Sequence, residues 1–370
     1  MRKTWAAALG MVVASTLAMA LAPDAARAED NTLNIYNWND YIDPKTLERF
    51  TAETGIKVRY DVYDSNETLD AKLRAGHSGY DLVVPTASPF LALQIPADLY
   101  RPLDRTKLKN YGNLDPTLMK QLAKYDPGNR HAIPWMWGTT GLGYNVEKVA
   151  EIMPKAPVNS LRMLLDPTIV SKFKDCGVIV LDSPTDVIPA VLAYLGRDPD
   201  SKSDEDLEAA TQALVKIRSF VRKWHSSEYI NDLANGDACL AFGFSGDIKQ
   251  AAKRAEDAKK PYKVEYAIPA EGAQVWIDTW AMPADGPHAN AAYKFLDFVL
   301  RPDIAALNSN FIGYANGVPA SKKLLEPAVR DDPTIYPPDE LRERFYTLSP
   351  PDRVYERKRT RAWTRVTTGQ

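Results

Sequence analysis

The sequence predicts an α/β protein built as two lobes, and three observations carry that prediction. Residues 33–85 run strand, helix, strand, helix, strand, the order that builds a mostly parallel sheet. The chain has 370 residues, longer than a single hydrophobic core usually serves. Thr139-Thr140-Gly141-Leu142-Gly143-Tyr144-Asn145 reads as a glycine-bearing strand where backbones cross between two bodies. Its Gly-x-Gly lacks the Lys-Ser/Thr of a phosphate loop and the glycine spacing of a dinucleotide site.

The first residues are read apart from the fold. Arg2-Lys3 precede an apolar stretch from Trp5 to Ala22, and Ala26-Arg27-Ala28 precede Glu29. A basic start, an apolar core and a small-x-small site predict a cleavable export signal over residues 1–28, cut after Ala28. A membrane anchor is the alternative, since the apolar run approaches spanning length. The formal charge is −2, so nothing global points to nucleic acid. The two cysteines, Cys176 and Cys239, suggest a disulfide in an exported chain, worth roughly 4 kcal/mol in the chain-entropy model. Two buried thiols are the alternative. Neither has a histidine at metal-ligand spacing, and no metal or cofactor is expected.

Leu33-Asn34-Ile35-Tyr36 alternates as a strand, and Asn37-Trp38-Asn39-Asp40-Tyr41 follows. Asp43 can cap the next helix, with Pro44 at its first position. The aromatic and acidic cluster therefore sits on a strand-to-helix loop, where α/β proteins place binding groups. A helix to Thr54 stops at Gly55, and Ile56–Tyr63 alternates as a second strand. Asn66–Ala75 reads as a helix and Tyr80–Pro85 as a compact strand, followed by hydroxyls at Thr86 and Ser88. Leu103–Lys124 reads as a turn-rich connection.

In the second half, Val178–Asp182 is a strand, with Ser183-Pro184-Thr185-Asp186 opening the next helix. Asp186 thus mirrors Asp40 at a strand-to-helix junction, although an acid there also suits the helix dipole. Ala209–Arg222 reads as an amphipathic helix, and Glu228–Asn235 as a shorter one ending on Gly236. Ala238–Phe242 is a buried strand, followed by Phe244 and Asp247. Trp276-Ile277-Asp278 lies on a late strand, and Tyr314 on the last polar aromatic loop. Aromatic faces with a few carboxylates suit an amine cation, because ring quadrupoles attract it and carboxylates accept its N–H groups. The tail around Trp363 is basic and reads as a solvated helix end.

Taken together, Tyr36-Asn37-Trp38-Asn39-Asp40-Tyr41-Ile42, Glu53–Val58, Tyr60-Asp61-Val62, Asp64–Glu67, Tyr80–Pro85, Thr139–Asn145, His225-Ser226-Ser227, Tyr229–Gly236, Ala281–Asp285 and Arg361–Thr364 make the chain resemble the polyamine-binding proteins of bacterial ATP-driven importers, the putrescine-binding branch above all. The likeness covers the whole exported chain. It implies a type II periplasmic binding protein, with two α/β lobes joined by crossover strands and a ligand cleft between them. The expected division is 29–137 plus 276–317 for the first lobe and 138–275 plus 318–370 for the second. The resemblance also implies the lining residues: Trp38, Asn39, Asp40, Tyr41, Thr86, Asp186, Phe244, Asp247, Trp276, Asp278 and Tyr314. It implies a disulfide between Cys176 and Cys239. Asn39 and Thr86 stand where the family carries serine, Asp186 where it carries glutamate, Phe244 where it carries tryptophan and Trp276 where it carries phenylalanine.

The expected activity is reversible capture of a linear diamine by a periplasmic monomer, which a membrane permease then engages. Asp247 and Asp278 are expected to hold one ammonium, and Asp40, Asp186 and Thr86 the other. Spermidine, cadaverine and agmatine are alternatives, as is a sensor subunit on the same fold. An enzyme is the rival class, since paired acids can hydrolyse glycosides. Against it, the sequence has no Gly-x-Ser-x-Gly and no metal-spaced histidines. His77, His131, His225 and His288 are scattered and read as structural.

Overall fold

The computed structural model describes residues 31–350 and 352–369. The expected export signal lies outside them. Strand β1 (Thr32–Trp38) buries Leu33, Ile35 and Asn37 on alternate positions. It ends in a turn where Asp40 takes a left-handed φ of 53°. Asp43 then caps α1 (Pro44–Thr54), accepting from the Lys45 N–H at 2.9 Å, and Gly55 closes the helix at φ 73°. Strand β2 (Lys57–Tyr63), α2 (Asn66–Arg74) and β3 (Leu82–Val83) follow, and β2 and β3 both pair parallel with β1.

The third strand is shorter than the expected Tyr80–Pro85. Buried Asp81 accepts the Asn34 N–H at 2.8 Å and the His288 N–H at 2.6 Å, so a side chain takes over part of the ladder. The stretch read as a turn-rich connection also holds a helix, Pro116–Leu122, capped by Asp115 with proline at its first position.

Strand β4 (Ala132–Asn145) is long and joins two sheets. Its first half pairs with a late strand, and its second half pairs elsewhere. The partners of the second half come from the middle of the chain: β5 (Val178–Val180), α3 (Pro184–Tyr194), α4 (Asp204–Ile217), β6 (Lys223–Trp224), α5 (Tyr229–Asn235), β7 (Leu240–Phe244), α6 (Ser245–Asp257) and β8 (Val264–Ala267). Helix α4 starts earlier than expected because Ser203 caps it and three acids fill its first turn. Strand β9 (Ala273–Ala281) returns the chain, and α7 (Ala289–Val299), α8 (Pro302–Ile312), β10 (Ala315–Asn316), β11 (Phe345–Tyr346) and α9 (Arg353–Thr368) complete it.

The main strand order is β2-β1-β3-β9-β4-β7-β5-β6. Residues 132–139 of β4 pair antiparallel with β9, and residues 140–144 with β7. The changeover falls between Thr139 and Thr140, just past Gly138, where an added Cβ would lie 2.9 Å from the Trp276 ring. Glycine is what lets that ring cross the strand.

Two cores flank the changeover. One gathers Leu33, Ile35, Phe50, Trp280 and Phe295, the other Leu142, Ile179, Phe242 and Ile248. After residue 317 the chain serves both sides. Leu325, Val329 and Ile335 pack with Ala306 and Ala315, while Tyr355, Trp363 and Val366 of α9 pack on the second core. The Trp363 indole also donates to Asp182 at 2.6 Å, so the basic tail is a docked amphipathic helix. Cys176 and Cys239 are bonded, with Cα atoms 5.6 Å apart, at the amino ends of β5 and β7. Among the described residues, no helix is long and apolar enough to cross a membrane.

Candidate ligand-binding site

Parallel strands β1, β2 and β3 of one lobe and β5, β6 and β7 of the other aim their carboxyl ends at a shared cleft. Residues just past those ends line it, together with β9 and Tyr314. The cleft holds about 610 Å³ of open space counting its mouth. Aromatic rings and carboxylates make up much of the wall of this slot, a lining suited to a cationic chain.

Ten of the eleven predicted lining residues meet there: Trp38, Asn39, Tyr41, Thr86, Asp186, Phe244, Asp247, Trp276, Asp278 and Tyr314. Asp40 does not. Its left-handed backbone turns the carboxylate outward, onto the Arg254 guanidinium of α6 at 2.9 Å. Arg254 is held from the other side by Asn231 at 2.7 Å. The pair bridges the two lobes beside the slot.

Five aromatic rings form one edge-to-face chain. Trp38 meets Phe244 at 6.4 Å between centroids, Phe244 meets Trp276 at 5.6 Å, Trp276 meets Tyr314 at 5.3 Å, and Tyr314 meets Tyr41 at 5.2 Å. Such contacts hold ring planes in place and leave faces for a methylene chain or a cation.

Three acids are buried in the slot, and each has hydroxyl partners. Asp278, on β9, accepts from the Thr86 hydroxyl at 2.6 Å and the Tyr41 hydroxyl at 2.8 Å. Thr86 therefore serves Asp278 and does not cap a helix; its own oxygen accepts from the Asn66 amide at 2.9 Å. Asp247, in the first turn of α6, accepts from Tyr229 at 2.7 Å and Tyr314 at 2.6 Å. Asp186, in the first turn of α3, accepts from Ser183 at 2.6 Å and Thr140 at 3.1 Å.

Burial raises all three carboxyls, because a charge loses its water there. Asp278 is pushed up to about 7 and Asp247 to about 6, against the pull of their hydroxyl donors. Asp186 is raised as well, with Ser183 and Thr140 opposing. Asp186 and Asp247 each add repulsion at Asp278. A cluster of this kind is poised to accept a dication, which would replace both the lost water and the missing countercharge.

Sequence reasoning missed Tyr229. It is fully buried, its hydroxyl holds Asp247, and the same oxygen accepts the Phe244 N–H at 3.0 Å. Gly243 makes room for it, since a Cβ there would fall 2.5 Å from the ring. The Gly243 between two phenylalanines was the available signal. Asp64, Asn66, Ser226, Ser227 and Gln274 also line the slot and were not singled out as ligand contacts. His131 bonds Asp126 and His288 bonds Asp81, each at 2.9 Å and away from the cleft.

Residues 45–337 match the family described as bacterial extracellular solute-binding protein. The chain belongs to that family. It is 49% identical over 372 residues to the putrescine-binding periplasmic protein PotF of Escherichia coli, covering 100% of this chain and 99% of that protein. It is 49% identical over 360 residues to the putrescine-binding periplasmic protein SpuD of Pseudomonas aeruginosa, covering 97% and 98%. Among solved structures, a transporter protein of Listeria monocytogenes superposes with a TM-score of 0.82 at 28% identity, covering 92% of this chain and 100% of that one. The spermidine/putrescine substrate-binding protein PotD of Streptococcus pneumoniae superposes with a TM-score of 0.73 at 28% identity, covering 91% and 99%. The fold is accordingly the type II periplasmic binding protein, as the family resemblance implied.

Proposed function

We propose that this protein captures a linear diamine, putrescine above others, in the periplasm and presents it as a monomer to the permease of an ABC importer. The observation that carries the reading is the slot itself: three buried acids and a chain of rings lining one cleft. The names of the full-length relatives support the same class of ligand and the same compartment.

In this reading the rings sheath the methylene chain while Asp247 and Asp278 take one nitrogen and Asp186 lies toward the other. A ligand of the wrong length leaves a buried charge unpaired, which costs several kcal/mol. The lobes divide at the crossover strands, with 29–137 and 276–317 in one and 138–275 in the other; the expected assignment of all of 318–370 to the second lobe gives way to a tail that packs first on the one lobe and then, through α9, on the other. They turn about β4 and β9, and ligand contacts made only in the closed form hold them shut.

The test is calorimetric titration of protein stripped of ligand by unfolding and refolding. Putrescine, cadaverine, spermidine and agmatine are compared. Putrescine giving the tightest binding supports the reading. No heat with any amine would overturn it.

A further inference from the structure

Thr86 lies beside β9, and its backbone bridges that strand at Asp278. The next residue of β9, Thr279, donates its N–H to the Pro85 carbonyl at 3.0 Å, so the threonine is pinned next to the acid. Asn66 opens α2 as its first residue, after the Ser65 cap, and is half-buried at the slot. Its carboxamide grips Thr86 at two points. The Thr86 backbone N–H donates to the amide oxygen at 3.1 Å, and the amide nitrogen donates to the Thr86 hydroxyl oxygen at 2.9 Å.

These two bonds fix which way each hydrogen points. A backbone N–H only donates, so the amide oxygen must face it and the amide NH2 must face the hydroxyl. A hydroxyl has a single hydrogen. With Asn66 donating into its oxygen, that hydrogen is left to Asp278 Oδ1, 2.6 Å away. The result is a one-way chain of donors, Asn66 to Thr86 to Asp278, ending on a carboxylate. Such a chain favours the charged acid, and successive bonds polarise one another. Without Asn66 the hydroxyl is free to turn and to accept, which makes a protonated Asp278 an equally good partner.

The other titratable groups facing Asp278 are Tyr41, Tyr63, Asp186 and Asp247. Burial pushes both tyrosines well above their usual value, so they stay neutral. The two acids repel the Asp278 charge, while the Thr86 and Tyr41 hydroxyls pull the other way.

We propose that Asn66 is a positioning residue for amine capture: it locks Thr86 as a donor and so keeps Asp278 charged for the incoming ammonium. Asn66 acts through Thr86 and does not itself hold the ligand. The proposal rests on the diamine reading and adds to it the residue that tunes one of its acids.

Three measurements test it, on Asn66→Leu, which keeps the bulk and removes both bonds, with Asn66→Ala expected to act alike. In ligand-free protein, carbon-detected NMR titration of the aspartate carboxyls should show Asp278 taking its proton about half a pH unit higher than in wild type. In calorimetry the variant should bind putrescine about threefold more weakly than wild type near pH 6 and within about 1.5-fold near pH 9, half a unit being about threefold. An equal loss at both pH values, with the Asp278 titration unmoved, gives Asn66 a structural role and overturns the proposal. The double variant Asn66→Leu with Thr86→Val should bind as Thr86→Val does alone, because Asn66 works through that hydroxyl. A further loss in the double variant places Asn66 on the ligand and overturns the proposal as well. Wild-type protein that binds no amine overturns the diamine reading and this inference with it; an Asp278 titration unmoved by Asn66→Leu, in protein that does bind, overturns the inference alone.

Discussion

Tyr314 and Asp247 are bonded to each other twice: the tyrosine hydroxyl donates to the carboxylate at 2.6 Å and accepts the aspartate's backbone N–H at 3.1 Å. The tyrosine follows α8 on one lobe and the aspartate opens α6 on the other, so one side chain fixes the acid and ties the lobes. Tyr314→Phe keeps the ring and removes both bonds. It is expected to lower putrescine affinity about tenfold to a hundredfold, read by calorimetry. Tyr229→Phe, which frees the other carboxylate oxygen, should do the same and should also lower the melting temperature, because the Phe244 N–H loses its acceptor.

Asp40 and Arg254 are each about one-third exposed, at 34% and 35%, and such ion pairs contribute about 0–1 kcal/mol. Asp40→Asn should change affinity less than about fivefold, with a smaller effect at high salt. Asp247→Asn should cost a hundredfold or more. Similar losses for the two variants would place Asp40 on the ligand after all.

Binding should depend on pH in a defined direction. Asp278 and Asp247 titrate near 7 and 6 because burial favours their neutral forms, and a cation needs them charged. Affinity should therefore fall as pH drops from about 8 to 5.5, with protons released on binding near pH 6.5. Titrations in buffers of different ionisation enthalpy would count those protons.

The same shift acts oppositely on the empty protein. A folded-state carboxyl above its unfolded value keeps its proton between about pH 4 and 7 while the unfolded chain loses it, so this contribution to stability declines as pH rises through that window. Asp278→Asn removes a buried charge at pH 8. It should raise the ligand-free melting temperature by about 2 °C or more while abolishing binding, measured by calorimetric scanning.

Cys176 and Cys239 join β5 and β7 at the ends away from the cleft. Replacing both by serine should cost about 2–4 kcal/mol of stability in denaturant and leave affinity within about threefold.

Much of this was legible beforehand. Alternation and capping residues placed β1, α1 and β2 because those signals are local: Asp43 caps its own helix, and Gly55 ends it. Residue type and position near strand ends drew attention to Trp38, Asp186, Phe244 and Asp247, while the full lining set, Trp276 and Asp278 within β9 included, was implied by the resemblance to the polyamine-binding family. What local pattern could not convey was orientation. Asp40 lies in the right loop, but its backbone angle sends the carboxylate to Arg254, more than two hundred residues away in sequence. Tyr229 escaped for a related reason: it acts through partners that only the folded chain brings together.

Gly138 has one more implication. The indole of Trp276 rests in the gap a missing Cβ leaves at Gly138, just before β4 passes from one sheet to the next. Whatever pushes on that ring from the ligand side also leans on the hinge. Selectivity and resting angle are thus coupled traits, and a lineage that exchanges the ring to accept a new amine would shift how often the empty molecule is shut.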